Sequence, residues 1–404
     1  MLGFPSLAAA SPQQGAPLPA GTVLWLRLGT PVSTKSSHLR QPVTARVVRE
    51  IKGANGVAIP LGAVAHGRIE KLIPSSSPDD RASLLVRFTE LEVPGQPPRS
   101  LAGHIQEIEN ARESVLPDGT VHGLLMSEVP VSHLEGVIAK LGKSNPEVAA
   151  EIEKTQKRNL GQSDTSIDYP AGTDLAFVLD QPLSVDHLFP PAVPDQLDAA
   201  VAASCSGLLA GAPLRAQGKD GKPGDPLNLV LVGNADEIRR TFQEAGWSEP
   251  ESKNDKSIWR TVRAVAANVG YGSAPVSELY LYGRPEDLAF EKMLNTFTKR
   301  HHLRLWRSGK TTPKGREIWL GAATHDTGID IHPGVVSHAI DPDLDAERAK
   351  VGADLMVTGR VAAEQLLTRP NPLSEGLTAT GAKWKTDGRL LGIELKAGGR
   401  DSEH

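Results

Sequence analysis

The chain has 404 residues, more than one hydrophobic core commonly supports, so two or more domains are expected. Its 44 basic and 48 acidic residues nearly cancel, leaving −4, which gives no electrostatic reason for nucleic acid or an anionic membrane to be a dominant partner. A single cysteine, Cys205, excludes an intramolecular disulfide and a Cys-based zinc site, and its small, flexible neighbours make it read as incidental.

Glycine and proline are frequent (39 and 31), which suits short strands joined by tight turns. The longest apolar runs fall short of the roughly 20 residues that span a bilayer, so the chain as given reads as soluble, with no transmembrane segment. Residues 1–17, MLGFPSLAAASPQQGAP, combine a short apolar segment with a small-residue run and read as a leader or the remnant of a secretory signal peptide. The expectation is a periplasmic or secreted protein, with a soluble cytoplasmic one as the alternative.

A repeat comes next. Residues 18–33, LPAGTVLWLRLGTPVS, and 169–184, YPAGTDLAFVLDQPLS, match at equal spacing, and IPLGAVAHGRI (59–69) is a degenerate third copy. Each reads as a Pro-opened turn with a glycine that frees the backbone, followed by a strand whose alternate residues (Leu24, Leu26, Leu28) face a core. VTARVVREI (43–51), SLLVRFTEL (83–91) and SLAGHIQEI (100–108) add strands between the copies. The expected unit is an antiparallel β-barrel or sandwich within residues 18–185. A helical segment over 130–164 interrupts it, with Asn145 and Pro146 as its cap and first-turn proline. These strand-introducing segments resemble the β-domain of TrbI-type conjugation proteins.

Residues 186–225 are rich in Pro, Ala and Gly and then polar, and read as a linker. From there the pattern turns to mixed α and β over 226–400. LNLVLVG (227–233) is a continuous apolar strand, and NADEIRRTFQEAGW opens a helix with Asn234 as N-cap and Ile238, Phe242 and Ala245 inward. KSIWRTVRAVAANVG reads as a second helix. SELYLYG, HLRLW and EIWLGAAT are strands, and HDTGIDIHPG suits a turn. DPDLDAERAKVGADL (341–355) is a third helix, with Asp341 expected as N-cap and Leu344, Val351 and Leu355 inward. The fold class is therefore α+β: a β-domain with a helical insertion, a linker and a mixed C-terminal domain.

NLVLVG, AGW, APVSELYLYGRPEDLAF, RHHLRLW, IWLGAATHDTGI and HAIDPDLDAER together resemble the LssY C-terminal domain, over about residues 226–360. The resemblance implies a bacterial, envelope-associated protein with an envelope protein partner. It implies no particular reaction, and relatives that handle lipids or phosphoesters point by association to a lipid or phosphoester ligand.

Five of the twelve histidines lie between residues 301 and 338, with acidic residues close behind, as an acid/base or metal site would need. Strand alternation in HHLRLW puts His302, Arg304 and Trp306 on one face and His301, Leu303 and Leu305 on the core side. His301 would then pack at a strand end. On the other face Arg304 is positioned to bind an anion, with His302 as proton donor and Trp306 as a wall, although an ordinary half-exposed strand with a cation–π contact reads equally simply.

His325 and Asp326 follow a strand, where functional loops often lie. His338 stands near a helix N-terminus. Asp345, Glu347 and Arg348 stand in the family motif, while the same residues also read as a solvated helix face. Two functions follow. One is a binding or accessory domain on a β scaffold. The other is a phosphoester or lipid-headgroup hydrolase with His302, His338, Glu347 and Asp345 catalytic and Arg304, Trp306, His325, Asp326 and Arg348 binding. No established metal or nucleophile motif is present, and the cofactor stays open. Two-histidine phosphoesterases carry Thr or Ser two residues after each His, where this chain has Arg304 and Ile340.

Overall fold

A computed structural model describes residues 16–53, 56–77, 79–125, 128, 165–185, 188–190, 194–219, 221–250, 279–294, 299–332, 335–378 and 381–398. The side chains of residues 293, 329–332 and 335–338 lie outside that description. So do the expected helices at 130–164 and in KSIWRTVRAVAANVG.

The N-terminal half is a nearly closed antiparallel sheet built on β1 (Val23–Leu28), β2 (Pro42–Val47), β3 (Val64–Ile73), β4 (Ser83–Glu92), β5 (Gly103–Ile108) and β6 (Asp174–Leu179), in the order β4-β3-β2-β1-β6-β5. The two PAGT copies are neighbours in it. β1 pairs with β6 so that Leu24 faces Phe177 and Leu26 faces Leu175, and alternate residues fill one core with Phe88, Ile69 and Val43.

The turns that open these two strands are built alike. Gly21 and Gly172 sit at φ +85° and +95°, which a side chain would strain. The Thr22 and Thr173 hydroxyls donate to Pro19 O and Pro170 O at 2.7 and 2.8 Å. Each glycine amide donates to the end of the other copy's strand, Gly21 to Leu179 O and Gly172 to Leu28 O, both at 2.8 Å. The repeat thus works as a pseudo-two-fold pair, each turn closing its partner strand.

The segment expected as a linker instead carries α1 (Ala199–Gly211), capped by Asp198, followed by a short hairpin of Arg215–Gly218 and Pro223–Pro226. Its small residues let the helix lie close on a sheet. Val201, Cys205 and Leu209 are buried there, so the cysteine is part of a core rather than incidental.

The second sheet is formed by β7 (Leu229–Val232), β8 (Leu288–Met293), β9 (Arg300–Thr311), β10 (Glu317–His332), β11 (Val335–Ile340), β12 (Val361–Leu367) and β13 (Leu390–Leu395). Its order is β8-β9-β10-β7-β13-β12, with β11 paired to β10. Only β7 and β13 run parallel among these pairs. β10 continues through the stretch expected as a turn, the chain adjusting by an irregularity between Asp326 and Gly328.

Both faces are covered. α1 packs on Val230, Val232, Trp306 and Leu320. On the opposite face lie α2 (Ala235–Glu244) and α3 (Leu344–Met356), against Leu229, Leu231, Leu303 and Leu305. This two-sided burial is why LVLV reads as an unbroken apolar run. Asn234 caps α2 in a capping box with Glu237. The cap of α3 is Asp343, whose carboxylate accepts from the Asp345 and Ala346 amides. Asp341, expected in that role, instead accepts from the Asp343 amide at 2.9 Å and shapes the approach.

A candidate His and Glu site between the two domains

Strand alternation separates the two histidines. Lys292, His301 and His325 form one cross-strand row over β8, β9 and β10, on the face that α3 covers. Glu291, His302 and Thr324 form the row behind it, on the α1 face.

His301 lies in the interior, 3 % exposed, where Glu347 (4 % exposed) meets it from the first turns of α3. Its Nδ1 lies 2.7 Å from Glu347 Oε2, and its Nε2 lies 3.4 Å from Glu109 Oε1, which reaches across from the end of β5. The His325 ring stacks on it at 4.1 Å between centroids, and His325 Nε2 is 3.0 Å from Asn110 Oδ1. Trp247, just after α2, closes the side at 6.0 Å from His301 and donates from its indole to Asp354.

The same interface continues into a chain of buried ions. Arg27 on β1 donates to Asp174 on β6 and to Asp354 on α3 at 2.6 and 2.8 Å. Lys292 reaches Asp174 at 2.5 Å, and Lys350 reaches Asp174, Asp354 and Glu109 at 2.7, 2.9 and 3.2 Å. Arg27 also donates to Ala245 O, and Asn110 to Lys292 O, so main chain and side chain join the halves together.

Electrostatics follow from this packing. Burial alone would neutralise His301, but Glu347 and Glu109 outweigh it and push its pKa up to about 9, so the ring is charged at neutral pH. His325 moves down, through burial and the charged ring stacked on it. Burial disfavours the Asp174 and Asp354 carboxylates, yet Lys350 and Lys292 beside them hold both below the usual range. Four carboxylates (Glu109, Asp174, Glu347, Asp354) then face Arg27, Lys292, Lys350 and the His301 imidazolium, a balanced set.

The other residues singled out from sequence are distributed around the domain. His302 bonds Asp326 and Thr324 at 3.1 and 2.8 Å and touches Arg304. Asp326 is also held by Arg300 at 3.2 Å. Arg304 is paired with Asp225 at 3.4 Å and stands 3.9 Å from Glu286, so its charge is met by carboxylates already in place. Trp306 is fully buried against α1 and is no wall of an open site, because the linker segment folds over that face.

Asp345 accepts from the Thr386 hydroxyl and the Asp387 amide, and Arg348 donates to Asp387 and Arg389 O, an arrangement that ties α3 to the loop before β13. The helix face that reads as solvated is therefore buried at Glu347, Arg348, Lys350 and Asp354. The His338 backbone pairs with Ile329, and its side chain lies outside the described residues. His302 and Glu347 stand on opposite sides of the sheet, and Glu347 meets His301.

Residues 209–390 match the family model described as LssY C-terminus. No curated protein matches the chain. Among solved structures, ComB10 of the Com Type IV secretion system of Helicobacter pylori is similar at 11 % identity, with a TM-score of 0.24, over 42 % of this chain and 90 % of that one. The strands and helix that supply His301, His325 and Glu347 thus lie within the span that matches the LssY C-terminus model.

Proposed function

We propose that this chain is a bacterial envelope protein in which an LssY C-terminal domain and a β scaffold domain act as one binding or accessory unit, and that it is not a hydrolase. The observation that carries this reading is the interface. The titratable groups suited to chemistry, His301 and Glu347, are buried between the halves and neutralised by partners from both. A general acid or base must meet its substrate within hydrogen-bonding reach, and a cluster buried between the two halves with its charges ion-paired inside the protein offers none.

His302 is half-buried and held by Asp326 and Thr324, and the anion-binding guanidinium expected beside it is already matched by Asp225 and Glu286. The envelope assignment rests on the domain family and on the small-residue N-terminal segment. No helix among the described residues is long and apolar enough to cross a membrane.

The test is a panel of phosphomonoesters, phosphodiesters and phospholipid head-group esters, run with the full chain and with His302→Ala, alongside fractionation of the producing cells. The expected outcome is no turnover above buffer and recovery in the envelope or periplasmic fraction. Turnover that His302→Ala abolishes would overturn the reading.

A further inference from the structure

We propose that His301, His325 and Glu347 form a structural site for a divalent metal ion, Zn2+ by its donor set, closed by Glu109 and Asn110 of the β-domain. Each of the three residues offers a ligand atom, all within 4.8 Å of one another. Two imidazole nitrogens and a carboxylate oxygen are the donors that Zn2+ takes in protein sites, and the absence of thiolates argues against softer ions.

The contacts around the trio choose which atoms are free to bind. His325 Nε2 faces the Asn110 side-chain oxygen at 3.0 Å, so that nitrogen carries the hydrogen and Nδ1 keeps its lone pair. His301 Nε2 lies 3.4 Å from Glu109 Oε1, at ion-pair distance but not aligned as a hydrogen bond. A carboxylate behind the non-ligating nitrogen is the arrangement that orients metal-bound histidines. Both orienting groups are consecutive residues of the other domain.

Glu347 Oε2 accepts a hydrogen bond from His301 Nδ1–H, while its Oε1 is buried with no hydrogen-bond partner. Buried polar atoms are nearly always satisfied, so the unpartnered Glu347 oxygen beside the two rings points to a further ligand there. On loading, the Nδ1–H bond of His301 breaks, Nδ1 binds the ion, and one proton leaves to solvent. The two rings turn out of their stack so that the Nδ1 lone pairs converge. The ion then ties β9, β10 and α3 together directly beneath the β-domain. This goes beyond the scaffold reading and does not depend on it.

The test uses the full chain, dialysed against Zn2+, gel-filtered, and analysed for metal by mass spectrometry, with Co2+ absorption as a report of nitrogen and oxygen ligation. The expected result is one retained ion per chain. His325→Gln, which stays folded by circular dichroism because its position is only partly buried, loses the ion. Asn110→Ala, which removes the orienting contact to His325 together with a hydrogen bond to Lys292 O, binds about tenfold more weakly. A wild-type chain that retains no ion, or a His325→Gln variant that holds the same amount, overturns the site and leaves the scaffold reading untouched.

Discussion

Asp174 is one of two carboxylates at the centre of the interface, since Arg27, Lys292 and Lys350 converge on it as they do on Asp354. Replacing Asp174 with Asn leaves three buried cations short of a counter-charge and should cost about 3–5 kcal/mol, read from urea unfolding at neutral pH. The pH dependence has a defined sign. A carboxylate held below its unfolded pKa contributes stability above roughly pH 4, and that contribution disappears as pH falls through the folded value. Asp174→Asn should therefore flatten the acid limb of the stability curve, and an unchanged limb would show that the network is not formed. Cys205 gives a second check. Burial pushes its pKa up to about 11, so an aromatic disulfide reagent should react only at the rate of unfolding. The sequence held a clue to this network that composition hides. The two PAGT copies differ at Val23 against Asp174 and at Arg27 against Val178, and Arg27 and Asp174 are cross-strand partners. Two of the departures from the repeat are thus charges that bind the domains. The pairing of His301 with Glu347 is not legible, because the two residues are 46 apart in sequence and alternation gives a face without naming its occupant.

α3 shows the same limit within one element. Its apolar positions Leu344, Val351 and Leu355 follow from helical spacing and are buried. Glu347, Lys350 and Asp354 form a parallel charged stripe, and charged helix faces are usually wet. This one is dry because the β-domain covers it, a fact no local pattern carries. The cap is a more tractable matter. Asp343→Ala should lose about 1 kcal/mol of stability by thermal unfolding, and Asp341→Ala distinctly less. The reverse order would restore Asp341 as the cap. α1 was hidden for a related reason: Ala, Ser and Gly make a helix surface of low contrast, and the same composition describes a linker. By contrast, the strong amphipathic pattern of α2, with Asn234 three residues before Glu237, is legible in full and is found as expected.

Across the whole molecule, the β-domain and the C-terminal domain share a buried ionic layer whose charges come from both sides. Such a layer is poor at adding net stability but strongly penalises separation, since each half alone would expose or strand its charges. The individual strands follow from turn chemistry and alternation, whereas their pairing order and the mutual placement of the halves depend on distant contacts, such as β1 with β6 and Arg27 with Asp354. That contact also provides the most direct test. A double-mutant cycle on Arg27→Ala and Asp354→Ala, measured by chemical unfolding of the full chain, should return a coupling energy of about 1–3 kcal/mol. A coupling indistinguishable from zero would mean the two residues do not meet, and would contradict a single unit joined through this interface.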